Sequence, residues 1–324
     1  MPTDKKPKAF PFRRLVACGI AILAIRLAIL GIRLATHAST HSASAGAPKQ
    51  TLETLLPRAL PPPPPTEQRV PEYAVYELET ATVHVVSVYP STPIAVVAAD
   101  ELATVEAFAQ QHHAVVALNG GFFDPQNGQT TSHLIIAGQP AGDPADNERL
   151  TANSSLQQYL PQILNRSEFR TYRCQGLETL RYDITSHNAP IPDNCAIESA
   201  LGAGPQILPE NTALAEGFID YQNGALVRDA IGIVQPNARS AIALRPDGTV
   251  LLLMAAQRIE SAGMTLAELG EFATSLGATQ LLNLDGGSSS SLYYNGQTYA
   301  GRLDEEGKAI QRPVKSVLVI GQKE

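Results

Sequence analysis

Five consecutive prolines at positions 61–65 divide this 324-residue chain and restrict where a core can form. A proline run offers no amide donors and favours polyproline II, a semi-rigid spacer that enters neither helix nor sheet. The stretch around it, 37–71, is rich in Ser, Thr, Ala and Pro and reads as a linker, so the folded domain is expected at 72–324. Upstream, Lys5, Lys6, Lys8, Arg13 and Arg14 precede an apolar run at 15–35. That is the order of a secretory n-region and h-region, and it places the bulk of the chain outside the cytoplasm. Residues 1–36 are therefore expected to be a signal or anchor segment that meets the membrane through 15–35. Arg26 and Arg33 interrupt the run on one helical face, each at a cost of about 2.5–3.5 kcal/mol at mid-membrane. Three forms stay open: an uncleaved anchor facing the extracytoplasmic side, a signal cleaved near Ala43-Ser44-Ala45 to release a secreted protein, and an interfacial amphipathic helix.

Charge is distributed unevenly. Ten of the 24 basic and three of the 31 acidic side chains fall within residues 1–71, leaving residues 72–324 at a formal −14. Such a field repels phosphate backbones and argues against nucleic acid as a partner; an anionic substrate would need a local positive site. Of the three cysteines, Cys18 lies in the apolar run, which leaves Cys174 and Cys195. In an oxidising compartment that pair reads as a disulfide, with two buried thiols as the alternative.

Along the domain, residues 73–89 alternate and are rich in Val, as a strand pair or one bent strand. Residues 100–112 read as a helix with Leu102, Val105, Phe108 and Ala109 on one face. A buried strand, 114–118, runs into Asn119-Gly120-Gly121-Phe122-Phe123-Asp124. The middle, 140–200, is polar and loop-rich. Further on, Arg239–Leu244 and 249–254 form strands joined by Pro246-Asp247-Gly248, a hairpin signal. Thr265 and Glu268 make a capping box for a helix carrying Leu266, Leu269, Phe272 and Leu276, which Gly277 stops. A strand at 280–284 leads into Asp285-Gly286-Gly287 and four serines. A hairpin through Asn295-Gly296 and a last strand at 315–320 close the domain.

The Asp285 segment carries the sharpest chemical signal. Glycines let the backbone turn and turn its N–H groups outward, and such nests bind anions. A carboxylate at the strand end serves as base, nucleophile or metal ligand; the plainer alternative is a turn in which Asp285 caps its own backbone. VVALNGGFF and LLNLDGGSS share one pattern, so if those strand ends meet, Asn119 and Asp285 face one cleft. Arg239 opens an apolar strand, as a structural ion pair or a phosphate clamp. Gly202-Ala203-Gly204-Pro205 reads as a tight turn rather than half a dinucleotide fingerprint. His112, His113 and His133 match no zinc spacing.

Taken in order, NGGFFD, GAGP, RSAIALRPDGTVLLL, GMTLAEL and LNLDGGSSSSL resemble the phosphodiester glycosidase family, over roughly residues 85–324. The resemblance implies an α+β domain, a mixed sheet with packed helices. It implies hydrolysis of a sugar-1-phosphodiester in an envelope or extracellular glycan, such as an exopolysaccharide, with a phosphorylated glycan as substrate. Asp285, Asn119 and Arg239 are then the catalytic candidates. Gly120, Gly121, Asp124, Gly204, Gly286, Gly287, Ser289 and Ser290 are the substrate-binding ones. No cofactor is implied, and a divalent metal stays open. Two departures stand out: Ser288 where the family commonly has a third glycine, and Ala256-Gln257-Arg258 where it often has Asp-Gly-Arg. The reading from another class is a non-catalytic glycan-binding or scaffold protein of the envelope. The absence of Trp counts against a sugar platform, although Tyr293 and Tyr294 can substitute. A protease or esterase would need an arranged Ser/His/Asp set, which no motif supplies.

Overall fold

Each residue of the strand Val250–Ala256 is buried, which requires apolar cover on both faces of its sheet. The computed structural model describes residues 69–321. Among them strand accounts for 44% and helix for 13%, so the expected α+β class with packed helices is corrected to a mainly β fold. The mixed sheet is corrected as well, because the three large sheets contain antiparallel ladders throughout. The reason is connection length: hairpins joined by short turns suffice here, whereas parallel pairing needs long helical crossovers. The hydrophobic segment expected at 15–35 lies outside the described residues, as does most of the linker. No helix among the described residues is long and apolar enough to cross a membrane.

The first sheet runs Glu72–Glu77, Thr82–Val88, Val250–Ala256, Arg239–Leu244, Gln280–Asn283, Gln206–Leu208. The second runs Gln297–Ala300, Ser291–Tyr294, Ala114–Asn119, Val314–Gly321, Ala95–Ala103. Side-chain alternation splits the first sheet into two apolar faces. Val86, Ile242, Leu252 and Leu282 meet Leu118, Leu292 and Leu318 of the second sheet in a shared core. Val85, Ala241, Leu253 and Leu281 form the opposite face, covered by Leu266 and Leu269 of the helix Leu266–Ser275. That helix starts at the expected capping box, with Thr265 Oγ1 accepting from Glu268 N at 3.2 Å and Glu268 Oε2 accepting from Thr265 N at 2.7 Å. Full burial of each of its two leucines contributes roughly 1.5–3 kcal/mol. Helix Val105–Gln111 similarly closes the outer face of the second sheet through Val105 and Phe108.

Two expectations about local structure are corrected. Residues 100–103 are strand, not helix: the helix begins only after Thr104, whose hydroxyl accepts from Ala107 N, and Ala103 pairs with Val314. The polar middle is not mostly loop but supplies strands of a third sheet, Gln139–Gly142, Leu134–Ile136, Cys195–Gly202, Ser167–Cys174, Arg181–Ser186. There Glu168 and Arg170, 1% and 2% exposed, are buried as a 2.6 Å ion pair, so polar letters occupy core positions. Cys174 and Cys195 face one another on adjacent strands of this sheet and are disulfide-bonded, with Cα atoms 4.0 Å apart and a sequence separation of 21. Replacing both by Ser should cost roughly 3 kcal/mol in the chain-entropy model, read as a lower denaturation midpoint with unchanged slope.

Candidate active site

Where the strand Gln280–Asn283 ends, the following loop is tied to both sheets through its backbone. Leu284 N donates to Ser240 O (2.8 Å), Asp285 N to Gly120 O (3.1 Å) and Gly287 N to Ala238 O (2.8 Å). The two echoed strand ends thus meet, although their strands belong to different sheets. Asn119 joins them: its Nδ2 donates to Asp285 O (2.7 Å), and its Oδ1 accepts from Ser240 Oγ (2.6 Å) and Ser291 N (3.1 Å). Close approach explains Gly121, where a Cβ would sit 2.1 Å from Gly202 O. Conformation explains Gly287, whose φ of +61° lies in the left-handed region, whereas Ser288 does not adopt positive φ. The departure at Ser288 is therefore sterically free.

Above this loop lies a polar cleft of about 320 Å³, bordered by Asp285, Gly286, Gly287, Ser288, Asn283, Arg239, Arg302, Arg312, Asn237 and Phe122, among others. Burial pushes the Asp285 carboxyl up from 3.8 to about 6, against the Ser289 hydroxyl, the Arg312 charge and the Gly286 N–H. The Ser289 hydroxyl itself meets no partner in hydrogen-bond geometry. Arg239 is 2% exposed, and burial lowers its guanidinium to about 10, opposed by Asp229. Four of its five N–H groups donate to backbone carbonyls, at Met264 (3.1 Å), Ile231 (3.1 Å), Gly232 (2.5 Å) and Gln235 (2.8 Å). Arg239 thus holds the 231–235 segment, whose Ile231 borders the cleft.

The sequence candidates separate into two groups. Asp285, Gly286, Gly287 and Arg239 border the cleft. Asn119, Ser289 and Ser290 are wholly buried, Gly120 accepts from Asp285 N on its carbonyl, and Gly121 packs against Gly202 and Ser132. Gly204 accepts from Asn283 Nδ2 at 2.8 Å and so supports the floor from behind. Asp124 stands apart: burial opposes its ionisation, but the Gln126 N–H and Arg149 outweigh it and hold the carboxyl below its ordinary value. Its 2.6 Å pair with Arg149 gives it a structural partner outside the cleft. Arg302, Arg312, Asn237 and Asn283 escaped sequence reasoning. Only the net charge of the domain pointed toward them, by requiring a local positive site. Among the described residues no group of three or more His, Cys, Asp or Glu side chains is placed to hold a metal ion.

Residues 112–321 match the family model described as phosphodiester glycosidase. No curated protein matches the chain by sequence. Among solved structures, the fold is similar to the zebrafish N-acetylglucosamine-1-phosphodiester α-N-acetylglucosaminidase catalytic domain, auto-inhibited by its pro-peptide. That likeness has a TM-score of 0.58 at 17% identity, covering 78% of this chain and 83% of that one. A hypothetical protein from Synechocystis gives 0.52 at 16% identity, covering 77% and 61%. A Burkholderia pseudomallei protein, described there as exported, gives 0.55 at 15% identity, covering 75% and 74%. At these identities the structural likeness shows the fold alone.

Proposed function

Because the chain belongs to the phosphodiester glycosidase family, we propose that it hydrolyses a sugar-1-phosphodiester in an envelope or extracellular glycan, with Asp285 as the acting carboxylate. The observation that carries this reading is Asp285 itself, a carboxyl raised to about 6 at the edge of a polar cleft with Arg302 and Arg312 beside it. An ordinary glycosidase must protonate a poor alkoxide leaving group. A phosphate monoester leaves as a weakly basic anion, so the demand shifts to stabilising charge on phosphate and on the oxocarbenium-like sugar. The oxygen of water bonds to the anomeric carbon, the bond from that carbon to the phosphate oxygen breaks, and its electron pair leaves with the phosphate. Asp285, ionised, takes the proton of that water or attacks first as nucleophile. Asn119 and Arg239 act as positioning residues, one bonded to the Asp285 loop and the other holding the 231–235 segment.

Incubation of the protein with a panel of sugar-1-phosphodiesters tests the reading through release of reducing sugar. Expected is turnover of at least one member; binding across the panel without release would favour the glycan-binding alternative. A pH profile adds a second check. Since Asp285 acts ionised and is pushed up to about 6, the rate should hold above pH 6 and fall about tenfold per pH unit below it.

A further inference from the structure

We infer that Arg302 and Arg312, with the Ser288 hydroxyl and the Asn237 amide, form an anion cradle that grips the phosphate and makes inorganic phosphate a competitive ligand of this protein. Neither arginine has a carboxylate partner among the described residues, in a domain otherwise rich in acid. Both border the cleft beside the Asp285 loop. Asp285 feels the Arg312 charge but forms no ion pair with it, so an anion entering the cleft would meet two guanidinium groups of which neither is held in a salt bridge.

The donors around them are already aimed. Arg312 donates to Ser288 Oγ at 3.3 Å and lies over the Phe123 ring, its carbon 5.2 Å from the centroid. Because Ser288 Oγ accepts from Arg312, its own O–H is left to donate elsewhere, and Ser288 borders the cleft. Gly287 supplies the space: the position of its missing Cβ is 3.6 Å from Asn237 Nδ2 and 3.7 Å from Arg302 Nη1. Asn237 Oδ1 accepts from Ala238 N at 2.9 Å, which fixes the amide so that its other end is the donor.

The backbone that carries Arg302 is held on both sides. Gly301 N donates to Ser290 O (2.7 Å), Gln257 N to Gly301 O (2.7 Å), and Leu303 N to Gln257 Oε1 (3.1 Å). Both departures seen in the sequence, Ser288 and Gln257, therefore serve this one corner of the cleft. Arg239, with four N–H groups already engaged, has little left to offer the same ligand. The inference rests on the proposed reaction only in taking the gripped anion to be the phosphate of the substrate.

The test is calorimetric titration of the full chain with inorganic phosphate, which needs no turnover. Arg302→Gln and Arg312→Gln should each weaken binding about tenfold or more, and Ser288→Gly about threefold, with melting temperatures near wild type. Arg312→Lys covers the case in which the Gln variant fails to fold, and should still bind more weakly than wild type because the forked geometry is lost. Arg173→Gln, an exposed arginine on the third sheet, serves as control and should bind as wild type. Undetectable phosphate binding by the wild type overturns the inference. So do unchanged affinities in the cleft variants, or an equal loss in the Arg173 control. A sugar panel that is not hydrolysed, alongside phosphate binding that follows this pattern, would remove the proposed reaction and leave the cradle standing.

Discussion

Replacing Asp285 by Asn should lower kcat by roughly 10³-fold or more while changing substrate affinity much less. The substitution keeps the shape of the side chain and removes only its charge, so it isolates the role of the carboxylate. It should also stabilise the fold. Burial holds the Asp285 carboxyl at about 6 rather than 3.8, so the native state binds a proton more tightly than the unfolded chain does. Between those two values stability falls as pH rises, and above about pH 6 the ionised form bears the full penalty, at most about 3 kcal/mol. The Asn variant should therefore melt higher than wild type at pH 7, and the gain should vanish below about pH 4, where Asp is protonated in both states. Loss of activity with gain of stability is the signature of a group kept for function. Near-normal turnover in a folded Asn variant would reduce Asp285 to a turn residue and sink the mechanism.

The second large effect is expected at Asn119. Truncation to Ala leaves Asp285 O, the Ser240 hydroxyl and Ser291 N without their present partner. A buried group so stranded costs about 1–3 kcal/mol, and the whole should amount to about 3 kcal/mol or more. Because one of the three bonds holds the backbone of Asp285 itself, activity should suffer through geometry as well, with kcat falling more than KM rises. Asn119→Asp separates the parts: it keeps the two accepted bonds and loses the donated one, setting a carboxylate against Asp285 O. Denaturation midpoints and kcat for the two variants check this. A stable Ala variant with full activity would show that the joint between the two strand ends is dispensable.

Much of the fold was legible because it is determined locally. The 239–256 hairpin, the capping box at Thr265 and the left-handed turn at Asn295-Gly296 each follow from a few neighbouring residues. The third sheet was not legible, because Glu168 and Arg170 neutralise each other inside it and so break the alternation that marks a half-buried strand. Helix at 100–103 was a plausible pattern overridden by pairing with the terminal strand, a contact more than 200 residues away in sequence.

The same division runs through the site. By itself the sequence determined that Asp285 stands at the end of a buried strand, followed by backbone able to turn sharply, since glycine permits what other residues do not. It also determined that so acidic a domain needs a local concentration of positive charge to meet an anion. Which arginine would meet it was decided only by tertiary structure. Arg239 has the more suggestive sequence position, yet the folded chain brings four carbonyls to it and uses up its donors. Arg302 and Arg312 carry no motif, yet a surface hairpin and the approach to the last strand set them at the cleft without carboxylate partners. Hydrogen-bonding capacity is written into each side chain, but whether that capacity remains free depends on segments distant in sequence, which only folding brings together.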